Sequence, residues 1–441
     1  MSRSEWSSKL GFILASAGAA VGIGNIWKFP YVVGEQGGGA FILLYIIFVF
    51  AIGIPLLIAE IMLGRYAGIN PIDGLKKIAV NEQKSPLWSI CGWFSLVTLL
   101  MILSFYNVVS GWVIFYLKQS LFNLLPNDTE QIKAVWTKLL SDYKTQISFQ
   151  AIFIFSTMIV VAKGVTKGLE KLNNLLMPLL FIMLISLVLY SGTFTGAFEQ
   201  TLKFLFKFDL SKINSTVALQ ALGQACFSLA IGAGAMFVYG SYLPKKVDIT
   251  SSAIYVAVIQ FMVGILAGLA IFPIIFAKNL PLEYGPGLMF VAIPNAFSGL
   301  FMSSFIISIF FSLLLFAALT SSINLAEPLV ATLCEKTSLT RTRASIIIGI
   351  ISLLLGLPSL LSFNLLQGYT IFDRSIFDAI IHISTNFMLP IGAIFYAVYA
   401  TFILSKYSSE KELSTSTLYY RIWYWSVKYL VPLTLILILV T

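Results

Sequence analysis

Long apolar runs alternate with short polar segments along almost the whole chain. A helix of about 20 apolar residues crosses the hydrocarbon core of a bilayer, and each run is near or above that length. We therefore predict eleven membrane-spanning helices, with boundaries that follow the polar segments. They cover residues 10–33, 39–64, 88–118, 148–163, 172–191, 216–240, 250–277, 300–334, 343–362, 376–404 and 418–440.

The first apolar run is interrupted by three glycines and two polar residues. These are Gly18, Gly22, Gly24, Asn25 and Lys28. Each interior glycine weakens a helix by about 1 kcal/mol relative to alanine, which predicts a break near residues 20–24. Backbone groups freed at membrane depth must line a protein-enclosed cavity or hold a ligand. The alternative is an unbroken helix whose small residues allow close helix packing.

A second glycine interruption lies in the sixth predicted span, from Ser228 to Gly234. The second interruption lies five spans after the first, so it begins a half of inverted orientation. This predicts a repeat of residues 1–191 and 216–404, with residues 405–441 forming the last span. Paired interruptions in two halves indicate a transporter site near the bilayer midplane, and they disfavour the packing alternative.

Composition supports a polytopic helical membrane protein. The chain has 441 residues, of which 58% are hydrophobic and 11% are charged, against about 25% charged in soluble proteins. The net charge of +9 does not indicate nucleic-acid binding, because the basic residues are scattered among the loops. With the N-terminus inside, seventeen basic residues are cytoplasmic and eight are external. The positive-inside rule then places the C-terminus outside, in a plasma membrane of bacterial type.

An enzyme is the weaker class. The single histidine, His382, lies in a predicted span, where packing is the simpler role, and no nucleophile–base pair or phosphate loop emerges. The cysteines lack metal-type spacing, and no disulfide framework is expected. They are Cys91, Cys226 and Cys334.

Oxygen-bearing side chains stand close to both interruptions and in span 8. Asn25 follows the first interruption, Ser228 opens the second, and residues 320–322 are Thr-Ser-Ser in an apolar run. Carbonyl, amide and hydroxyl oxygens suit a hard cation such as sodium, although single hydroxyls often bond back to their own helix. Tyr106 offers a phenol to an anion, and Glu60 is predicted to accept amides freed at the second break.

Two outer segments stand out between the spans. The loop over 119–147 is polar and has its own helical pattern from Glu130 to Tyr143. Residues 279–299 are rich in proline and glycine and suggest a re-entrant or capping loop.

Together these motifs resemble the neurotransmitter:sodium symporters, the family of the leucine-transporter fold. The resemblance covers essentially the whole chain, and an eleven-span version is similar to bacterial members. It rests on Ala19-Ala-Val-Gly-Ile-Gly-Asn-Ile-Trp-Lys-Phe-Pro-Tyr31, Gly37-Gly-Gly-Ala-Phe41, Gly53-Ile-Pro-Leu-Leu-Ile-Ala-Glu60, Tyr106-Asn-Val-Val-Ser-Gly-Trp112, Gly223-Gln-Ala-Cys-Phe-Ser228, Ala267-Gly-Leu-Ala-Ile-Phe-Pro273 and Leu319-Thr-Ser-Ser-Ile323.

The resemblance implies two sodium sites. The second site would use the carbonyls of Gly18, Val21 and Ala317 with the hydroxyls of Thr320 and Ser321. The first site would use the Ala20 carbonyl, Asn25 and Ser228. Its further ligand is Asn or Asp in relatives, whereas this chain has Gln260, which moves the oxygen by about one methylene.

The resemblance also implies an α-amino acid substrate. Amine-transporting relatives carry an aspartate where this chain has Gly22, so here the substrate would bring its own carboxylate. The pocket is apolar, and Ala233 leaves room for a large or aromatic side chain. The implied contact residues are Ala20, Gly22, Gly24, Ile102, Tyr106, Phe227, Ala230, Ala233, Ser321 and Leu325.

Gates and a chloride site are implied in the same way. Lys28 replaces the usual arginine of the outer gate and would pair with Asp378. The inner gate would comprise Arg3, Trp6, Tyr242 and Glu335. Chloride is left open, because Tyr45, Gln224 and Ser228 match chloride ligands whereas Gly264 matches neither the serine nor the carboxylate of relatives.

The sequence therefore predicts a sodium-coupled symporter of a neutral, hydrophobic or aromatic amino acid that works by alternating access. Sodium would favour the outward state through differential affinity for the two states. Two alternatives stay open: a sodium-coupled transporter of an osmolyte such as taurine or a betaine, and a sensor or channel that does not accumulate solute.

Overall fold

The fold is almost entirely helical. The computed structural model describes residues 5–278 and 287–440. Within those residues, nine helices are long and apolar enough to cross a membrane, and one bent helix pair qualifies as a tenth span. The predicted span 216–240 consists of two shorter helices with six residues between them, so the count of eleven stays a prediction.

The helices and the one hairpin are numbered in chain order. The first nine helices are α1 (Lys9–Ala20), α2 (Ile23–Glu35), α3 (Gly39–Ala67), α4 (Pro71–Asn81), α5 (Pro86–Leu121), α6 (Thr129–Ser141), α7 (Tyr143–Ala162), α8 (Val165–Phe194) and α9 (Phe198–Phe206). The others are α10 (Ser215–Ser228), α11 (Ala235–Ser241), α12 (Ile249–Lys278), α13 (Ile293–Phe297), α14 (Ser303–Lys336), α15 (Arg341–Leu361), α16 (Ile376–Ile403), α17 (Lys406–Leu413) and α18 (Thr417–Val440). Strands β1 (Thr370–Ile371) and β2 (Arg374–Ser375) pair antiparallel, with Thr370 opposite Ser375.

Most span boundaries agree with the apolar runs to within a few residues. The largest difference is at α8, which begins at Val165 rather than near residue 172, because a π-helical turn over Val165–Glu170 continues the helix into polar sequence. The helix predicted from Glu130 to Tyr143 is confirmed as α6. Of the predicted re-entrant loop, residues 279–286 lie outside the described residues, and the rest contains α13.

The first predicted break is confirmed. α1 ends at Ala20, α2 begins at Ile23, and the two axes meet at 67°. Gly22 is extended at the start of α2, with φ −112° and ψ −175°. The chain thus leaves helical geometry within the predicted residues and resumes it in a new direction.

The second predicted break is also confirmed, between Ser228 and Ala235. Gly232 has a φ of +91°, a region that glycine enters without penalty. A Cβ at this position would lie 2.1 Å from the Leu389 carbonyl oxygen, so only glycine fits. Ala230, in the same break, has a φ of +51°, which is strained for a residue with a side chain.

Close backbone packing fixes α11, the second half of the second broken span. A Cβ on Gly64 of α3 would lie 1.8 Å from the Phe237 carbonyl oxygen of α11, and a Cβ on Gly240 would lie 2.2 Å from the Ile61 carbonyl oxygen. Helices approach this closely only where side chains are absent. α3 and α11 therefore meet backbone to backbone, which positions the end of the break at Ala235.

Candidate functional site

A cavity of about 650 Å³ lies between the two breaks and extends to the β1–β2 hairpin. All ten residues predicted to contact substrate line it. They come from α1, α2, α5, α10, α14 and the two breaks, which the fold brings together from distant parts of the chain.

The amino end of α2 opens into this cavity. The Ile23 amide donates to the Tyr106 hydroxyl at 3.2 Å. A Cβ on Gly22 would lie 2.9 Å from Ser321 Oγ and 3.1 Å from the Tyr106 hydroxyl. The glycine therefore leaves the helix end, the phenol and the serine facing a shared space. Because a helix amino end carries partial positive charge, this space suits an anionic group.

The groups predicted for the second sodium site lie together. Ser321 Oγ donates to the carbonyl oxygens of Gly18 and Val21, at 3.0 and 3.1 Å. Thr320 Oγ1 lies 3.0 Å from the Ala317 carbonyl oxygen. Both hydroxyl residues are buried. Three carbonyls and two hydroxyls from α1, the first break and α14 thus form one oxygen-rich cluster.

Asn173 of α8 was missed by the sequence reasoning. Its Nδ2 donates to the Leu169 carbonyl at 2.8 Å, while its buried Oδ1 has no hydrogen-bond partner among the described residues. A Cβ on Gly18 would lie 2.2 Å from this Oδ1 and 3.2 Å from Thr320 Cβ. An unpartnered amide oxygen therefore borders the cluster. The Asn-Asn pair inside an apolar span was the available signal.

The residues predicted for the first sodium site fall into two hydrogen-bonded groups. Asn25 Nδ2 donates to the Ala20 carbonyl at 2.8 Å. The Tyr45 hydroxyl lies 2.8 Å from Ser228 Oγ and donates to Gln260 Oε1 at 2.9 Å. No hydrogen bond between described residues joins the two groups. The side-chain oxygen of Gln260 accepts from Tyr45 rather than bonding to the Asn25 group.

Glu60 is confirmed as an acceptor for the second break. Its carboxylate accepts from the amides of Gly232 at 3.1 Å and Met236 at 3.2 Å. The side chain is fully buried. The acid therefore replaces hydrogen bonds that the unwound segment has lost.

The residues predicted for the outer gate line the cavity without pairing. Lys28 Nζ lies 4.0 Å from the centroid of the Phe227 ring, a cation–π contact. Asp378 accepts from Ser375 Oγ at 2.7 Å, and its amide donates back to the same oxygen. Its carboxylate is therefore used in capping the start of α16. Among described residues no ion pair joins Lys28 to Asp378, and the gate role of the two stays a prediction.

Three of the four residues predicted for the inner gate are described. Trp6 donates through Nε1 to the Tyr239 carbonyl at 3.0 Å, and its amide donates to the Tyr242 carbonyl at 3.1 Å. Glu335 Oε2 accepts from the Asn70 amide at 2.8 Å. Arg3 lies outside the described residues.

Glu327 is a further buried acid that the sequence reasoning missed. The Tyr242 hydroxyl donates to its Oε1 at 2.9 Å, and Arg341 pairs with its other oxygen. A carboxylate directly before Pro328 in an apolar span was the available signal. The pair connects α14 to α15.

His382 was expected to pack within its span, but it lines the cavity and exchanges a hydrogen bond with Asn386 at 2.9 Å. Asp378, Thr385 and Asn386 line the cavity from the same helix. These positions recur at helical spacing on one face of α16. That polar stripe in a predicted span was a signal the sequence offered.

Two broken helices around one cavity, with oxygen-bearing groups at the breaks, define a multi-pass membrane transporter. The sequence matches the sodium:neurotransmitter symporter family over residues 3–139 and 141–441. The chain belongs to this family. It is a sodium-dependent symporter with the leucine-transporter fold, and it is not an enzyme.

Individual relatives agree with this assignment. The uncharacterized sodium-dependent transporter YhdH of Bacillus subtilis (strain 168) is 35% identical over 439 residues, covering 98% of this chain and 96% of the relative. The structure of MhsT in complex with L-phenylalanine matches with a TM-score of 0.91 and 37% identity, covering 100% of this chain and 99% of the other. The human sodium- and chloride-dependent taurine transporter is 29% identical over 76% of this chain and 61% of its own length.

Proposed function

We propose that this chain couples sodium entry to the uptake of a neutral amino acid with a hydrophobic or aromatic side chain. The observation that carries the proposal is the cavity between the two breaks, in which a helix amino end faces an apolar compartment. Alternating access would then expose this cavity to one side of the membrane at a time.

The amino end of α2 would receive the substrate carboxylate. Gly22 and Gly24 leave the backbone accessible, and the Tyr106 hydroxyl adds a polar contact at 3.2 Å from the Ile23 amide. A substrate ammonium would meet carbonyls at the end of α1 and of α10. An α-amino acid supplies both charges on adjacent groups, whereas an amine without a carboxylate would leave the helix end unmatched.

The side-chain compartment supports a hydrophobic substrate. Ile102, Phe227, Ala230, Ala233 and Leu325 line it, and two alanines leave volume for a ring. The related MhsT was solved with L-phenylalanine, which agrees with this size. Burying an apolar side chain of this kind contributes about 1.5–3 kcal/mol.

Two clusters would hold sodium. The carbonyls of Gly18, Val21 and Ala317, with Thr320 and Ser321, would provide the second site. Asn25, the Ala20 carbonyl, Ser228 and Gln260 would provide the first, beside the substrate carboxylate. Because α1 and α14 both contribute to the second site, sodium there would favour the conformation that holds the two helices together.

The first prediction is that amino acid uptake depends on sodium. In proteoliposomes, replacing external sodium by potassium should abolish accumulation of radiolabelled phenylalanine or leucine, because the proposed coupling uses the sodium gradient. Equal uptake in both salts would refute the coupling. Saturable binding without accumulation, or single-channel currents, would instead favour a sensor or channel.

The substrate class is tested by ligand-dependent thermal stability. A ligand that binds only the folded state raises the free energy of unfolding by RT ln(1 + L/Kd), where L is the free ligand concentration. We expect hydrophobic and aromatic amino acids to raise the melting temperature in sodium and to do so less in potassium. A shift with taurine or a betaine, and none with the twenty amino acids, would support the osmolyte alternative.

Chloride dependence is tested in the same uptake assay. The amide of Gln224 and the Nε2 of Gln260 are buried without hydrogen-bond partners among the described residues. Gln224 belongs to the set that matches chloride ligands in relatives, and Gln260 is bonded to Tyr45 of that set. If these donors hold an anion, uptake in gluconate should fall well below uptake in chloride; equal uptake would remove chloride from the cycle.

We infer a location in a bacterial plasma membrane, with the N-terminus in the cytoplasm and the C-terminus outside. The excess of basic residues in the segments assigned to the cytoplasm supports this orientation. Reporter fusions that fluoresce inside or are enzymatically active outside, joined to each end, test it directly.

A further inference from the structure

A lysine without a carboxylate partner among the described residues lies near the middle of the last helix. Lys428 is about 16 Å along the axis from Thr417, at 1.5 Å per residue. No described residue forms an ion pair with it, although a charged group within a membrane span is costly unless partnered. No described residue of α18 lines the transport site. The transport site therefore does not explain why a lysine lies here.

Four aromatic rings surround the Lys428 ammonium. Nζ lies 4.8 Å from the Phe402 centroid, 5.4 Å from Tyr424, 5.6 Å from Tyr429 and 5.8 Å from Trp425. We call these rings and the lysine the Lys428 cage. Each ring face attracts a cation, so together they hold the ammonium in one place.

The Lys428 cage lies at the membrane-facing surface where α16 and α18 meet. Phe402, Trp425 and Tyr429 are each about half exposed, at 50%, 55% and 55%. The Tyr424 hydroxyl donates to the Thr401 carbonyl at 3.0 Å, close to the end of α16. Lys428 therefore reaches back along its helix to the level where α16 ends, which is how lysines in spans approach the headgroup region.

A second ammonium adjoins the same surface. Lys406, exposed at the start of α17, places its Nζ 5.7 Å from the centroid of the Tyr424 ring. Arg421 is exposed one helical turn before Trp425. The nearby acid Glu412 is engaged by Arg65 at 2.6 Å. The patch therefore carries three basic groups, Lys406, Arg421 and Lys428, against one exposed acid on α17, Glu410. Its Tyr424 ring lies level with the end of α16.

We propose that the Lys428 cage and Lys406 bind the phosphate of an anionic phospholipid. Basic residues at the ends of spans attract anionic headgroups, and the phosphate oxygens would supply the counter-charge that the described protein residues do not. The ring faces are already occupied by the lysine ammonium, so the cage does not suit the quaternary ammonium of a choline headgroup.

The test is lipid titration of the purified, delipidated full chain in detergent. Phosphatidylglycerol should raise the melting temperature and remain bound in native mass spectrometry, and phosphatidylcholine at the same concentration should do much less. Lys428→Gln should weaken phosphatidylglycerol binding about fivefold, and adding Lys406→Gln should weaken it further, by a comparable factor per basic residue. Lys118→Gln is the matched control, because exposed Lys118 lies over a single ring, Phe149, at 6.0 Å.

Each other outcome overturns the proposal. Equal binding of the two lipids, or phosphatidylglycerol binding unchanged in Lys428→Gln, would show that the cage selects no anionic lipid. Protection by inorganic phosphate alone would make it a general anion site. If Lys428→Gln does not fold, Lys428→Arg should keep the selectivity and exposed Lys406→Gln alone should weaken it; failure of both would also reject the proposal.

Discussion

Ala230 combines a strained backbone conformation with a place in the wall of the cavity. Ala230 lies in the second break at a φ of +51° and lines the cavity. A residue with a Cβ in this region costs about 1–2 kcal/mol relative to glycine. The chain nevertheless keeps a methyl group here, which narrows the compartment proposed for the substrate side chain.

The second prediction follows from that strain. Ala230→Gly should stabilise the folded protein by about 1 kcal/mol, after allowance for the greater freedom of glycine in the unfolded chain. Ala233→Gly is the matched control, because Ala233 is not at positive φ and should only lose stability. Thermal unfolding of both variants without substrate measures the difference, and a loss of stability in Ala230→Gly would contradict the strain.

The third prediction concerns Gly18 and Asn173. Gly18→Ala places a Cβ 2.2 Å from Asn173 Oδ1 and 3.2 Å from Thr320 Cβ. It should therefore reduce the rise in melting temperature that sodium causes. Asn173→Ala removes the closer clash, so the double variant should recover part of the sodium effect, whereas Gly18→Ala with Asn174→Ala, on the exposed face of α8, should not. Equal losses in both double variants would show that Asn173 does not set the clash.

At the scale of elements, the second broken span depends on a group from another helix. The unwound segment between α10 and α11 and the first turn of α11 direct two amides toward Glu60 of α3. Buried amides without partners each cost about 1–3 kcal/mol. The break is therefore stable only while α3 presents an acceptor to it.

The fourth prediction tests this dependence. Glu60→Gln keeps the shape of the side chain but replaces one acceptor oxygen by a donor facing an amide, so the melting temperature should fall and uptake should be lost. Glu199→Gln is the control, since the side chain of Glu199 is 81% exposed and pairs with its neighbour Lys203, and surface pairs contribute little. Unchanged melting of Glu60→Gln would remove the carboxylate from the support of the break.

The elements could be read from local sequence, whereas contacts between distant elements could not. Apolar runs located the spans, and the glycines located both breaks, because helix geometry is decided by neighbouring residues. The opposition of Asn173 to Gly18 and the Tyr45–Gln260 bond depend on how whole helices dock. The polar stripe of α16 lay between these cases: its spacing was visible, but the cavity that it faces was not.

At the scale of the molecule, the cavity is surrounded by helices with different attachments. α1 and α14 meet at an oxygen cluster, and Lys28 lies over the Phe227 ring. Trp6 bonds to the carbonyls of Tyr239 and Tyr242, and Glu327 joins α14 to α15. The oxygen cluster and the cation–π contact between Lys28 and Phe227 each involve few atoms. Contacts with ions or substrate can replace them. They are therefore the places where binding can bias one conformation over another.

The contact between α3 and α11 behaves differently. Gly64 and Gly240 bring the two main chains together with no side chain between them, so neither helix can slide past the other without a collision of peptide groups. The fifth prediction is that any transport motion carries both helices as one rigid body. Spin labels attached to the ends of α3 and α11 that face away from the contact should keep one distance in sodium, in potassium and with substrate, while distances from either helix to α14 change.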